Sequence, residues 1–220
     1  MCNLYANRAS QSEIRAAARV IRDLTGNLPA QPAIFPDHMA PIVRGKRQDR
    51  ELLMARWGFP PPSFPGQKSS RPVTNVRNAA SRHWLPWLSK PEHRCLVPVT
   101  SFSEPDNRAG DDKPSIWTWF ASDESRPVMF FAGIWRDWEG TRGTKANPIT
   151  GHHLLYSFLT TDASVDVAPI HPDASPVLLL DQEAQEAWLN APWEIARDLQ
   201  KPPPPGSLRI VATDTKQDLA

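Results

Sequence analysis

The chain reads as one α+β domain built on a curled, mainly antiparallel, barrel-like sheet with short helices at its flanks. Three observations predict this. Short segments rich in β-branched and aromatic residues recur along the chain between turn-forming residues, as in an antiparallel sheet. Helical periods are few and short. Twenty-four prolines, clustered at Pro60-Pro61-Pro62 and Pro202 to Pro205 but spread throughout, argue for many turns rather than long helices. No repeat or linker divides the chain, so residues 1–200 are read as the domain and residues 201–220 as a proline-rich tail.

Ser10 and Glu13 form a capping-box pattern ahead of Ile14, Ala17, Ala18, Ile21 and Leu24, which predicts a helix that Gly26 stops. Ala40 to Arg44 and Glu51 to Trp57 read as strands, the second ended by Gly58 and the proline run. Residues 59–71 form a loop rich in Pro, Ser and Gly with apolar Phe64 at its middle. A turn then leads into a short helix near Trp84 and Trp87. Arg94 to Phe102 is a buried strand, with Glu104 just past its end. Residues 115–120 and Pro127 to Trp135 read as paired strands joined by the turn at Ser122 to Ser125. Asp137 to Gly151 reads as a polar loop, His153 to Thr161 as a strand and Val177 to Leu180 as a short one. Asp181 caps a helix running to about Asn190, and Trp193 to Leu199 forms another. Leu208 to Val211 offers an edge strand, and the last residues are expected to be loose.

Composition narrows the function classes. No apolar run approaches transmembrane length, and the N-terminus lacks a signal-peptide pattern. Cys2 and Cys95 are the only cysteines, too few for a disulfide framework or a structural zinc site. His152 and His153 are adjacent, and His93 with Cys95 lacks a second close pair, so no metal site is expected. No phosphate-cradling loop, dinucleotide fingerprint or nucleophile elbow is present. A cytoplasmic protein without a cofactor is expected. A net charge of +1 gives no general attraction to nucleic acid. Locally the balance differs: Ala55 to Cys95 holds seven basic residues (Arg56, Lys68, Arg71, Arg77, Arg82, Lys90 and Arg94) against one acid, Glu92. That suits an anionic ligand held in one groove, or a solvated face balanced by the acids that follow.

Chemistry begins at Met1-Cys2. Cysteine is small enough for the initiator methionine to be trimmed, which would leave an α-amine and a thiol on adjacent carbons. Such an aminothiol condenses with an aldehyde, and the thiol then closes a five-membered thiazolidine. An α-amine titrates near pH 8, so part of it is nucleophilic at neutral pH. Glu104, at the exit of a buried strand, can be desolvated and shuttle protons, or be an ordinary turn acid. His171, between Ile170 and Pro172, is held as a general acid or base should be, or is a packed turn histidine. Asn75 and Arg77 could orient an amine and a phosphate.

Taken in order, these pieces resemble the SOS response-associated peptidase (SRAP) domain family. The resemblance rests on Met1-Cys2-Asn3, Arg56-Trp57-Gly58, Asn75-Val76-Arg77-Asn78, Arg94 to Pro98 leading to Phe102-Ser103-Glu104, Phe131 to Trp135, and Leu159 to Ala163 running to Ala168-Pro169-Ile170-His171. It implies a suicide-type repair protein that bonds to abasic sites in single-stranded DNA, acting as a monomer without metal or membrane. Cys2 would then be the nucleophile, Asn75 would position its amine, Glu104 would act as acid and base, and His171 would assist deoxyribose opening. Arg77, with Arg71 and Arg82, would contact the DNA backbone, and Trp57 and Phe64 would offer aromatic surface. The chain departs from the family at Asn3, at Ser103 and Pro105, at Asn78-Ala79 and over His171 to Pro176. Cysteine-peptidase chemistry, in its narrowest form the removal of Met1 alone, and non-catalytic single-strand binding are the competing readings.

Overall fold

A computed structural model describes residues 2–62, 71–106 and 116–219. Its elements in chain order are β1 (Leu4–Asn7), α1 (Gln11–Ala18), β2 (Arg22–Asp23), β3 (Gln31–Ile34), β4 (Met39–Arg44), β5 (Glu51–Trp57), β6 (Asn75–Val76), α2 (Leu85–Leu88), β7 (Arg94–Val99), β8 (Ser101–Asp106), β9 (Ile116–Ala121), β10 (Met129–Gly143), β11 (Pro148–Thr161), β12 (Ser175–Pro176), α3 (Gln182–Asn190), α4 (Trp193–Ala196) and β13 (Arg209–Thr213). The order β11-β10-β7-β4-β5 closes into a five-stranded barrel, because β5 pairs in parallel with β11 through Leu155↔Arg56 and Tyr156↔Trp57. A second sheet, β13-β9-β8-β1-β3, packs beside it and is antiparallel throughout. The α+β, barrel-like expectation holds.

One apolar cluster takes in one face of all five barrel strands, including Ile42, Trp57, Val97, Phe131 and Phe158, and is joined by Tyr5 and Phe102 of the second sheet. Another lies outside the barrel, where Ile14 of α1 and Trp188 of α3 cover Leu52, Leu96 and Ile134. Close approach needs Gly133: a Cβ there would sit 2.7 Å from Cys95 Sγ.

Four local expectations are corrected. The helix near the N-terminus ends at Ala18, because Arg19 turns left-handed at φ 52° and its N–H caps the carbonyls of Arg15 and Ala16. Ile21 and Leu24 therefore leave the helical stripe and stand exposed. The strand expected from Arg94 to Phe102 breaks at Thr100, whose N–H donates to Ala6 O at 2.9 Å, and the chain passes there from barrel to second sheet. Glu104 consequently lies inside β8, opposite Thr118, not past a strand end. Strands β9 and β10 are not partners: β9 joins β8 and β13, whereas β10 joins β7 and β11. Finally, the polar stretch Asp137 to Gly151 is a twisted ribbon continuing β10 into β11, from Gly133↔Phe158 to Gly143↔Pro148. Antiparallel pairs tolerate water on their faces, so a polar composition did not exclude strands there. Gly143, at φ 83°, makes its turn.

The C-terminal segment supplies the expected edge strand as β13, antiparallel to β9. Beyond it Asp218 is fully buried, accepting from Arg126 Nε at 2.8 Å and from Ser101 Oγ, so the segment expected to be loose is held as far as Asp218.

Candidate functional site

Four of the residues singled out from sequence meet at the seam between the sheets. Cys2 precedes β1 and is fully buried, its thiol directed at Leu4 O 3.6 Å away. Asn75 starts β6, which the parallel pairing Phe158↔Asn75 holds against β11, and its Nδ2 donates to Cys2 O at 2.8 Å. Glu104 shares its strand face with Phe102 two residues earlier, which points it between the sheets. It is fully buried. His171 follows a tight turn in which its own N–H donates to Val167 O at 3.0 Å and Ser164 N–H donates to Ser175 Oγ at 2.9 Å. That turn brings His171 Nε2 to 3.7 Å from Glu104 Oε2.

The electrostatics follow from burial. Loss of water pushes the Glu104 carboxyl up to about 8, with the Asp173 charge adding to the rise. Burial raises the Cys2 thiol well above its ordinary range, and the charge on Glu104 raises it further. Burial also lowers the His171 imidazole, with Asp173 opposing. At neutral pH the site therefore holds a protonated carboxyl, a protonated thiol and a neutral imidazole. Such a set can relay protons among themselves and to a bound carbonyl.

The DNA-contact candidates fare less evenly. Arg71, Arg77 and Arg82 are exposed, and Arg77 ion-pairs with exposed Asp162. Trp57 offers no surface and is corrected: it is fully buried, edge-on to Tyr5 at 5.1 Å and stacked on Phe158 at 5.2 Å. Alternation along β5 turns it inward, and its indole N–H donates to Thr74 O at 3.1 Å. Phe64 lies outside the described residues. Sequence reading missed Thr74 and the side chain of Asn3, which are hydrogen-bonded to each other at 2.9 Å beside Asn75. Adjacency to Asn75 and Cys2 was the only signal for them. Among the described residues no cluster of three or more His, Cys, Asp or Glu could hold a metal ion, and no helix is long and apolar enough to cross a membrane.

The SOS response associated peptidase family description matches residues 1–216. The chain belongs to the SRAP family. Two solved structures, both from Bordetella bronchiseptica, share the SRAP fold seen here. One is 24% identical with a TM-score of 0.71, covering 97% of this chain and 98% of its own. The other, described as a phage-related protein, is 19% identical with a TM-score of 0.67, covering 96% and 92%. No curated protein matches the sequence.

Proposed function

We propose that this SRAP protein captures abasic sites in single-stranded DNA covalently, through a thiazolidine on Cys2 after Met1 is removed. The observation that carries the reading is the convergence of Cys2, Asn75, Glu104 and His171, from four separate stretches of chain, on one buried site whose carboxyl is raised to about 8. An abasic site exists in part as a ring-opened aldehyde. The two hydrogens of the Cys2 amine leave with the aldehyde oxygen as water, which gives an imine. The thiol then adds across the C=N bond, sulfur to carbon and its proton to nitrogen, closing the ring. One water is released and no oxidant is consumed. Every step moves a proton, and Glu104, protonated at neutral pH, donates to the departing oxygen and accepts from the thiol. His171 beside it assists opening of the deoxyribose. Arg77, exchanging Asp162 for a phosphate, and Arg71 and Arg82 hold the flanking backbone.

The test incubates the processed chain with a single-stranded oligonucleotide carrying one abasic site, followed by denaturing electrophoresis and intact mass. The expected product has the mass of protein plus DNA minus one water and is absent with Cys2→Ala. No adduct from a chain whose mass shows Met1 removed and Cys2 intact would sink the proposal. Peptide cleavage in its place would favour the peptidase reading.

A further inference from the structure

We propose that Thr74 and Asn3 are positioning residues for Cys2, because together they fix which way round the Asn75 amide sits. The inference rests on the reading of Cys2 as a nucleophile acting through its α-amine. Asn75 Nδ2 carries two hydrogens and has two acceptors, Cys2 O at 2.8 Å and Thr74 Oγ1 at 2.9 Å. A hydroxyl has one proton to give, and Thr74 gives it to Asn3 Oδ1 at 2.9 Å. The Thr74 oxygen therefore faces Asn75 as an acceptor, and the polarity of the chain of bonds is set: Asn75 to Thr74, Thr74 to Asn3.

The reverse arrangement is disfavoured by two contacts. Turning the amide over would set Asn75 Oδ1 against the Cys2 carbonyl, acceptor against acceptor. It would also need the Thr74 proton, which Asn3 already takes. Thr74 itself cannot drift, since its carbonyl accepts the buried Trp57 indole N–H at 3.1 Å. With both amide hydrogens committed, Asn75 Oδ1 is buried and without a hydrogen-bond partner among the described residues. A buried acceptor left bare is costly unless a donor arrives. An amine N–H on Cys2 is a donor of the right chemistry, one residue's backbone away from the carbonyl that Asn75 already grips. The pair thus presents Oδ1 to the amine in advance and aims its lone pair at the aldehyde, a gain of orientation and not of chemistry.

The experiment compares wild type with Thr74→Val, Thr74→Ser and Asn3→Ala. Single-turnover crosslinking is measured at saturating abasic single-stranded DNA, binding to the same oligonucleotide without the lesion, and proton exchange of the Asn75 side-chain amide by NMR. Thr74→Val is expected to slow crosslinking about ten-fold, equivalent to ~1.4 kcal/mol, while changing binding less than about two-fold. Thr74→Ser should restore the rate, and Asn3→Ala should slow it about three-fold, since a freed hydroxyl can donate to Oδ1 and turn the amide. A wild-type rate in Thr74→Val, or equal slowing in Thr74→Ser, overturns the proposal. Should wild type form no adduct, covalent capture fails, yet the relay is still read by exchange: slow in wild type and Thr74→Ser, fast in Thr74→Val. Equal exchange in all three overturns it. Asn3 is exposed, so Asn3→Ala carries the test if Thr74→Val fails to fold.

Discussion

Glu104 shows how much a single position depends on what covers it. Burial raises its carboxyl from an ordinary 4.5 to about 8, so between those values the folded chain keeps a proton that the unfolded chain has lost. The stability this group contributes is therefore full below about pH 4.5 and drains away as pH rises to about 8. His171 runs the other way: its lowered folded pKa means that stability is lost as pH falls below the ordinary imidazole value. Comparing Glu104→Gln with wild type isolates the first effect. The stability difference should shift in favour of Glu104→Gln from pH 5 to pH 8.5, as read by urea unfolding at each pH; a constant difference would mean that the carboxyl titrates normally when folded. The same variant should slow crosslinking about 100-fold with little change in DNA binding. Cys2, Asn75 and His171 were legible as candidates from residue type and chain order. The burial of Glu104 was less so, because it depends on a sheet change at Thr100 that no local pattern announces. Trp57 misled for a related reason: the family resemblance implied aromatic surface there, and only the facing direction of β5 reveals that the side chain is buried.

At the scale of elements, local signals succeeded where a cap or a period was written into a few residues. The capping box at Ser10 and Glu13, and Asp181 accepting from Ala184 N–H at 2.8 Å, both start helices where expected. They failed where pairing is decided by distant chain, as with β9 and β10, or where a ribbon carries no apolar stripe. Helix α3 illustrates a connection between these levels. Its C-terminal carbonyls, left over by the helical bonding pattern, are taken by buried Arg94 of β7, with Nη1 donating to Trp188 O at 2.7 Å and Nη2 to Ala191 O at 2.6 Å. Burial pulls the guanidinium down to about 10, still charged at neutral pH. A basic residue counted by sequence toward a DNA-facing charge is therefore a fastener between helix and barrel. Arg94→Met should cost about 3 kcal/mol by leaving those carbonyls unpaired. Urea unfolding would check it, and an unchanged midpoint would show that water can replace the arginine. Binding to single-stranded DNA should be unaffected at concentrations of denaturant where the variant stays folded.

For the molecule as a whole, the site exists only because the two sheets meet. Cys2 and Glu104 come from the second sheet and Asn75 from a strand on the barrel, so no single supersecondary unit contains the site. The far end of the chain braces the second sheet. Asp218 N–H donates to Pro32 O of β3 at 2.9 Å, and its own carbonyl accepts from Arg8 Nη1 at 3.3 Å just past β1. Its carboxylate meanwhile binds Ser101 at the start of β8 and the Arg126 guanidinium. Strands β1 and β8, which position Cys2 and Glu104, are thus tied together from outside by the C-terminal segment. Asp218→Ala leaves the Arg126 side chain, 10% exposed, without its counter-charge. A loss of about 3 kcal/mol is expected, read as a lower urea midpoint. Because the contact braces the sheet and touches neither Cys2 nor Glu104, crosslinking per folded molecule should stay within about two-fold of wild type. A large fall in that rate with the fold intact would instead mean that the brace sets the geometry of the seam.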